Sequence, residues 1–232
     1  MKTSTTLILG AILVIMGCLI TYNFKLKGMY DTKSYRNPYN GMEFTPLSGI
    51  EKINVQSANT MNIKVLQGDK EGIWVDVKFE NNVQFSANGP VLNIDFLNVA
   101  IENKRRLLAN TVVVITKKMN SLTTIHTKMK IDDPYTRGQI TVENYKIDKL
   151  DLEVASDLNV NLNNLRINVL NAVVGDQYPG IAMLRVPYNT SVNTANFNVG
   201  INGSLNLDGA KIIKTVSHIA DSLKVAAIVK NP

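Results

Sequence analysis

The sequence predicts an all-β fold, a solenoid of short strands, preceded by one N-terminal transmembrane helix. Three observations predict it. The stretch 149–170, KLDLEVASDLNVNLNNLRINVL, holds three alternating segments. Leu150, Leu152 and Val154 alternate with Asp151 and Glu153; Leu158, Val160 and Leu162 alternate with Asn159 and Asn161; Leu165, Ile167 and Val169 alternate with Arg166 and Asn168. A period of two sends one set inward and the other to solvent, and the breaks Ala155-Ser156-Asp157 and Asn163-Asn164 suit tight turns, not crossover helices. The same alternation fills the chain from Ile50 onward, and an uncharged apolar run, Leu7 to Tyr22, precedes it.

Composition sets outer limits. The chain has 232 residues, enough for one sizeable domain and an appendage, and 45% hydrophobic with 19% charged residues is the balance of a folded chain. A formal charge of +6 permits attraction to lipid headgroups, envelope polyanions or nucleic acid without choosing among them. The single cysteine, Cys18, excludes an internal disulfide and any multi-cysteine metal site.

Taken in order, residues 1–24 are expected to form a signal-anchor helix. Counting Asn23 and Phe24, the apolar run spans roughly 27 Å at 1.5 Å per residue, just enough to cross a thin hydrocarbon core. Two other readings compete. A cleaved signal peptide needs a small-x-small site, which Thr21-Tyr22-Asn23-Phe24-Lys25 does not supply, and a lipoprotein signal is suggested by Ile15-Met16-Gly17-Cys18. Leu19-Ile20 continue the apolar run past the cysteine, so the uncleaved anchor is adopted, with Cys18 a small apolar residue in it. Lys25, Lys27, Lys33 and Arg36 follow the segment while only Lys2 precedes it, which by the positive-inside rule would keep the C-terminal flank inside. Export of the large domain is expected instead, by analogy with the common envelope layout of an anchor ahead of a turn-rich β-domain.

Residues 25–48 lack periodicity and are punctuated by Pro38, Gly41 and Pro46, as a linker would be. Residues 49–232 are the expected β-solenoid. Ile53 and Val55 form one run; Met61, Ile63 and Val65 the next; then Ile73, Val75, Val77 and Phe79 with Trp74 opposite; then Val83 and Phe85; then Leu92, Ile94 and Phe96. Ala100 to Ala109 breaks the pattern as a short helix or exposed loop, and TVVVIT, 111–116, reads as a fully buried strand.

The runs IEKINVQSANTMNIKVLQGDKEGIWVDV, NGPVLNIDF and NTVVVITKKMNSLTTI resemble the head GIN domain family of candidate auto-transporter adhesins, common in Bacteroidetes envelope proteins. The resemblance covers roughly Gly49 to Val229, in the order of elements more than in strict motifs. It implies a right-handed parallel β-helix. Farther on, Ile125 to Gly138 reads as a protruding loop, Gly175 to Gly180 as a turn, and Phe197, Val199, Ile201, Leu205 and Leu207 as further strands. Ile212 to Val229 fits a helix in its first part and a strand in its second, either of which would cap the last coil.

Chemistry is sparse. His126 and His218 are far apart with no ligand-like spacing, and serines such as Ser156 and Ser204 lack a nucleophile-elbow context. Asp132-Asp133, before Pro134, reads as the start of a turn. Asp151, Glu153 and Asp157 are the acidic cluster that could serve a β-helix enzyme, although a solvated strand face also explains them. Lys104-Arg105-Arg106, Lys117-Lys118, Lys128 and Lys130 could form a patch for anionic lipid or polysaccharide; without interleaved aromatics or a groove helix, nucleic acid is not expected. Asn159, Asn161, Asn163, Asn164 and Asn168 can stack as ladders or present amides to sugar hydroxyls.

The expected function is therefore a membrane-anchored, adhesin-like binding or structural module of a bacterial cell envelope. No catalysis, cofactor or metal site is expected. The expected partners are the membrane, through the N-terminal helix, and an envelope polysaccharide or protein, with oligomeric state open. The rival is a polysaccharide-active β-helix enzyme using Asp151, Glu153 or Asp157.

Overall fold

The structure is a computed structural model and describes residues 3–31, 37–97, 111–127 and 137–219. Lys33, Arg36, the 100–109 segment with Lys104-Arg105-Arg106, Lys128, Lys130, Asp132-Asp133 and everything from residue 220 lie outside the described residues. The chain divides into two compact units, Met1–Met42 and Glu43–Pro232.

The first unit is built on α1 (Thr3–Asp31). At 1.5 Å per residue it is about 43 Å long. It runs past residue 24, where the sequence pattern placed the end of the anchor, because no proline interrupts the chain before Pro38. Within it Leu7–Gly28 is long and apolar enough to cross a membrane, and its side chains are exposed.

The second unit is made of strands: β1 (Met42–Pro46), β2 (Lys52–Val55), β3 (Asn62–Gln67), β4 (Gly72–Asp76), β5 (Val83–Asn88), β6 (Val91–Phe96), β7 (Val112–Thr116) and β8 (Ser121–Thr124). There follow β9 (Gly138–Glu143), β10 (Lys146–Val154), β11 (Leu158–Asn163), β12 (Arg166–Val174), β13 (Ala182–Arg185), β14 (Ser191–Val199), β15 (Gly203–Asn206) and β16 (Lys211–Ile219). They form two sheets of eight, ordered β1-β4-β7-β3-β9-β11-β13-β15 and β16-β14-β12-β10-β8-β2-β6-β5. Neither sheet closes on itself. From β8 to β16 successive strands alternate between the sheets, and each pairs in parallel with the strand two places on. Antiparallel pairing joins β4 to β7 and β5 to β6, toward the opposite edge of each sheet from β15 and β16.

Parallel register turns the alternation of single strands into stacked apolar rows. Leu92, Ile53, Leu122, Leu152, Ala172 and Phe197 lie side by side on six strands of one sheet. Ile63, Ile140, Val160, Leu184 and Leu205 do so in the other. All are buried in one continuous core. The bulky Phe197 neighbours the small Ala172, so the row keeps its volume.

Besides Ser57 (φ 53°), the turn residues Asn144 (φ 65°), Asp157 (φ 54°) and Asn164 (φ 54°) take left-handed backbone, a conformation that Asn and Asp tolerate better than other side chains. They fall where the sequence breaks, which is why Asn163-Asn164 and Ala155-Ser156-Asp157 end their strands. One strand phase differs from the sequence pattern. Val169, expected inward, faces outward, and Leu170 takes the inward place. Two consecutive residues point out at Asp148-Lys149, Asn168-Val169 and Asn193-Thr194, so the phase reverses within each long strand at the same register position and pairing is kept. Because of this step β12 continues to Val174.

Elsewhere, β4 stops at Asp76, whose carboxylate accepts from the Lys78 backbone N–H (2.9 Å) and starts a 3-10 turn at Val77–Phe79 in place of the expected strand end. TVVVIT is buried throughout, as expected of a strand flanked on both sides, here by β3 and β4. The expected linker, 25–48, contains the end of α1 and strand β1. Of the ambiguous C-terminal stretch, Lys211–Ile219 is a strand.

Tyr145 supplies a pH-dependent support at one turn. It is 2% exposed, and its hydroxyl donates to the Leu66 carbonyl (2.7 Å) with the Thr116 hydroxyl 2.8 Å away. Burial pushes its pKa up to about 12, from 10.0. Since the folded value lies above the unfolded one, its contribution is complete below pH 10 and is lost as pH rises through about 12. Tyr145→Phe is expected to cost about 1–2 kcal/mol at pH 7 by orphaning the Leu66 carbonyl. Thermal melts from pH 8 to 11.5 should show the wild type losing stability with a steeper alkaline slope than the variant; equal slopes would remove Tyr145 from this role.

Candidate functional site: the polar face of the long strands

The four nine-residue strands β10, β12, β14 and β16 put their non-core side chains on one outer face. Register sets Lys146, Arg166, Ser191 and Lys211 in one row, Lys149, Val169, Thr194 and Lys214 in a second, and Asp151, Asn171, Asn196 and Val216 in a third. A fourth contains Glu153, Val173, Asn198 and His218. Neighbouring strands lie about 4.8 Å apart, so side chains in a row are within reach of one another.

Amides exploit that spacing. The Asn196 side-chain N–H donates to Asn171 Oδ1 (2.8 Å), and Asn171 donates to Asp151 Oδ1 (2.7 Å). Parallel to this ladder, Asn193 donates to Asn168 Oδ1 (2.8 Å). A third ladder occupies a turn, with Asn164 donating to Asn144 (2.7 Å) and Asn189 to Asn163 (2.7 Å). Of the asparagines expected to stack, Asn163, Asn164 and Asn168 do. Asn159 and Asn161 do not: they stand beside Gln139 and Met183 and beside Thr141 and Arg185, and their Oδ1 atoms are buried without a hydrogen-bond partner. Asn171, Asn193 and Asn196 were missed; their spacing matches the strand register, but nothing in the sequence alone marks that register.

The candidate carboxylates do not converge. Asp151 and Glu153 share the outer face of β10, two residues and about 7 Å apart along the strand. Asp157 lies beyond the strand end, in the turn. The Asn171 amide, and after it the Lys149 ammonium at 2.9 Å, hold the Asp151 carboxyl below its usual pKa. A glycosidase of the expected kind needs one carboxyl held protonated as general acid, and Asp151 is biased toward the ionised form.

Asp157 instead joins a corner cluster drawn from three turns. His126 Nε2 stands 3.6 Å from its carboxylate and stacks on Tyr178, ring centroids 5.0 Å apart. The neighbouring Ser156 hydroxyl donates to Asp176, which also accepts from the backbone N–H groups of Ser156 (3.2 Å) and Tyr178 (2.9 Å). Ser156 is fully buried, and its hydroxyl bonds the Asp176 carboxylate and the Tyr178 carbonyl and not an imidazole, which makes it a turn fastener and not a nucleophile. Among the described residues no three His, Cys, Asp or Glu side chains are grouped to hold a metal ion. His218 is exposed on β16, Ser204 lies on β15, and Lys117-Lys118 are exposed between β7 and β8.

Fold and face together define a mostly β module of two mixed, unclosed sheets with one N-terminal apolar helix and a polar, amide-rich face. No family model matches the chain, and no curated protein does. Solved structures that the chain matches include a candidate lipid-binding protein from Parabacteroides distasonis, 14% identical over 77% of each chain with a TM-score of 0.49. Another is a candidate adhesin from Parabacteroides merdae, 13% identical over 77% of this chain and 76% of that one, TM-score 0.47. A third, a candidate adhesin from Bacteroides fragilis, is 12% identical over 77% of this chain and 94% of its own, TM-score 0.38.

Proposed function

We propose that the chain is a membrane-anchored, non-catalytic binding or structural module of a bacterial cell envelope, with α1 as a single-pass anchor and the strand-built unit outside the cytoplasm as a parallel β-solenoid of the head GIN type. The observation that carries the anchoring is the uncharged Leu7–Phe24 segment of α1, whose side chains are exposed along its length. Such a surface has a hydrocarbon environment as its natural solvent. The solenoid reading is supported by the strict alternation of strands between two sheets and by their parallel stacking from β8 to β16. Cys18 is then a residue of the span.

Two adjacent outer-face carboxylates, one of them biased toward ionisation, favour binding over hydrolysis. The test is protease accessibility of the 49–232 region in intact cells and in spheroplasts. Digestion in intact cells or only after the outer barrier is opened supports export. Protection in both, with digestion after the inner membrane is breached, would mean that the cationic flank held the unit inside and would overturn the proposal.

A further inference from the structure

We propose that the outer face of β12, β14 and β16 binds a linear acidic polysaccharide. The proposal deepens the binding reading above and rests on it. Its basis is a charge and amide arrangement that only the register reveals. The three strands, RINVLNAVV, SVNTANFNV and KIIKTVSHI, contain no carboxylate at all. Their outer side carries Arg166, Lys211 and Lys214, all exposed, and among the described residues none of these three forms an ion pair. Every acidic residue of the long-strand face, Asp148, Asp151 and Glu153, lies on β10, where Lys149 pairs with Asp151.

The amides between the cations have a direction. In both ladders the side-chain N–H groups point toward β10, so Asn193 and Asn196 head them as donors and their own Oδ1 atoms take no ladder bond. β16 cannot extend either ladder, because it sets Val216 opposite Asn196 and Ile213 in the place beside Asn193. The Oδ1 atoms of Asn193 and Asn196 are therefore available to sugar hydroxyls, and each stacked amide keeps a second N–H for a ring or hydroxyl oxygen. Exposed Ile213 (81%) offers an apolar contact to the C–H face of a sugar ring.

Arg166 and Lys211 stand two strand spacings, about 10 Å, apart in one row, and Lys214 follows Lys211 about 10 Å along β16, a scale on which carboxylates recur along a uronate polymer. Duplex or single-stranded nucleic acid is disfavoured because, among the described residues, the three strands present no exposed Phe, Tyr or Trp for bases to stack on and no groove-sized element. An anionic bilayer would use the cations but has no use for two aligned rows of amides.

The test uses the full chain in nanodiscs of zwitterionic lipid, with polygalacturonate as probe, dextran as its neutral counterpart, and phosphatidylglycerol vesicles and duplex DNA as rival anions. Binding to polygalacturonate in about 150 mM salt is expected, with none to dextran. Arg166→Gln, Lys211→Gln and Lys214→Gln together should weaken it by roughly tenfold or more, whereas the charge-matched Lys78→Gln, Lys117→Gln and Lys118→Gln set should change it less than about twofold. Asn193→Leu with Asn196→Leu should weaken it by about threefold or more without removing charge. If the first triple variant shifts the melting temperature by more than about 2 °C, Lys214→Gln alone on the edge strand replaces it, with a smaller loss still expected. Equal losses in both triple sets, no effect of the two asparagine changes, or tighter binding to vesicles or DNA than to polygalacturonate would each overturn the proposal. An internal location of the unit found by protease accessibility would defeat the envelope reading while leaving this assay's result standing, so the two failures are separable.

Discussion

Val160→Asp is expected to unfold the strand-built unit. Val160 sits mid-strand in β11, 1% exposed, with Ile140 on one neighbouring strand and Leu184 on the other, both 0% exposed. Its inward neighbours along the strand, Leu158 and Leu162, are equally buried. A carboxylate placed there meets only aliphatic side chains, and leaving it without a partner costs at least several kcal/mol, whether paid as desolvation or as a proton taken up at neutral pH. Total stability for a domain is about 5–15 kcal/mol, so that single cost takes most of it. The loss of the valine contacts adds to it. Val160→Ala removes only those contacts and is expected to cost about 2 kcal/mol, leaving a cooperative melt at lower temperature. Circular dichroism and thermal melting at pH 7 separate the two: no folded baseline for the aspartate, a shifted transition for the alanine. An aspartate variant that melts within about 2 °C of wild type would put Val160 on the solvent side.

The inward identity of Val160 was legible because a period of two over Leu158, Val160 and Leu162 admits only one face. The turns were legible for a related reason, since Asp157 and Asn164 are residue types that accept φ near +54°. Val169 was not. Its phase depends on a step shared by β10, β12 and β14, and two outward residues in succession look in one strand like an ordinary break in pattern. Pairing was also hidden: β2 lies beside β8 and β6, partners far along the chain, and nothing local in Lys52–Val55 encodes them.

The candidate site divides along the same line. That Asp151 and Glu153 share an outer face follows from alternation. That Asp157 leaves them for His126, which stacks on Tyr178, follows from how three turns come together, which is a tertiary fact. The basic patch shows the limit most clearly. Sequence runs such as Lys117-Lys118 attract notice because they are contiguous, while Arg166 is far in sequence from Lys211 and Lys214 and joins their face, two strands away, only through parallel register.

Gly138→Ala is expected to be nearly as damaging, for a reason of space. Gly138 opens β9 opposite Leu158, and its N–H donates to the Asp157 carbonyl (3.1 Å). An added Cβ would stand 2.1 Å from the Ala58 carbonyl oxygen and 2.9 Å from backbone atoms of Asn59. A flexible side chain could swing away from such a contact, but these atoms belong to the buried turn Ala58–Thr60. That turn is fixed by Thr60 Oγ1 donating to Ser57 O (2.7 Å), by Ala58 N–H donating to Ile125 O (3.1 Å), and by the paired bonds of Asn59 with the Thr127 backbone (3.0 and 3.1 Å). Relief therefore requires breaking that set or pulling β9 off β11. Overpacking costs typically 1–3 kcal/mol, and with backbone on both sides of the clash the upper end is expected, a drop of about 10 °C in melting temperature. Gly89→Ala is the matched comparison: φ is +56° with nothing within 4 Å of the new Cβ, so only the backbone preference is lost, about 1–2 kcal/mol. If Gly138→Ala melts no lower than Gly89→Ala, the Ala58–Thr60 turn does not pack on β9. Because Gly138 holds Asp157 and lies far in register from Arg166 and Lys214, the variant should loosen the His126–Asp157 corner and leave polygalacturonate binding intact at temperatures where it stays folded. That outcome would show the corner to be a structural fastener, and the long-strand face to be the part of the unit that meets a ligand.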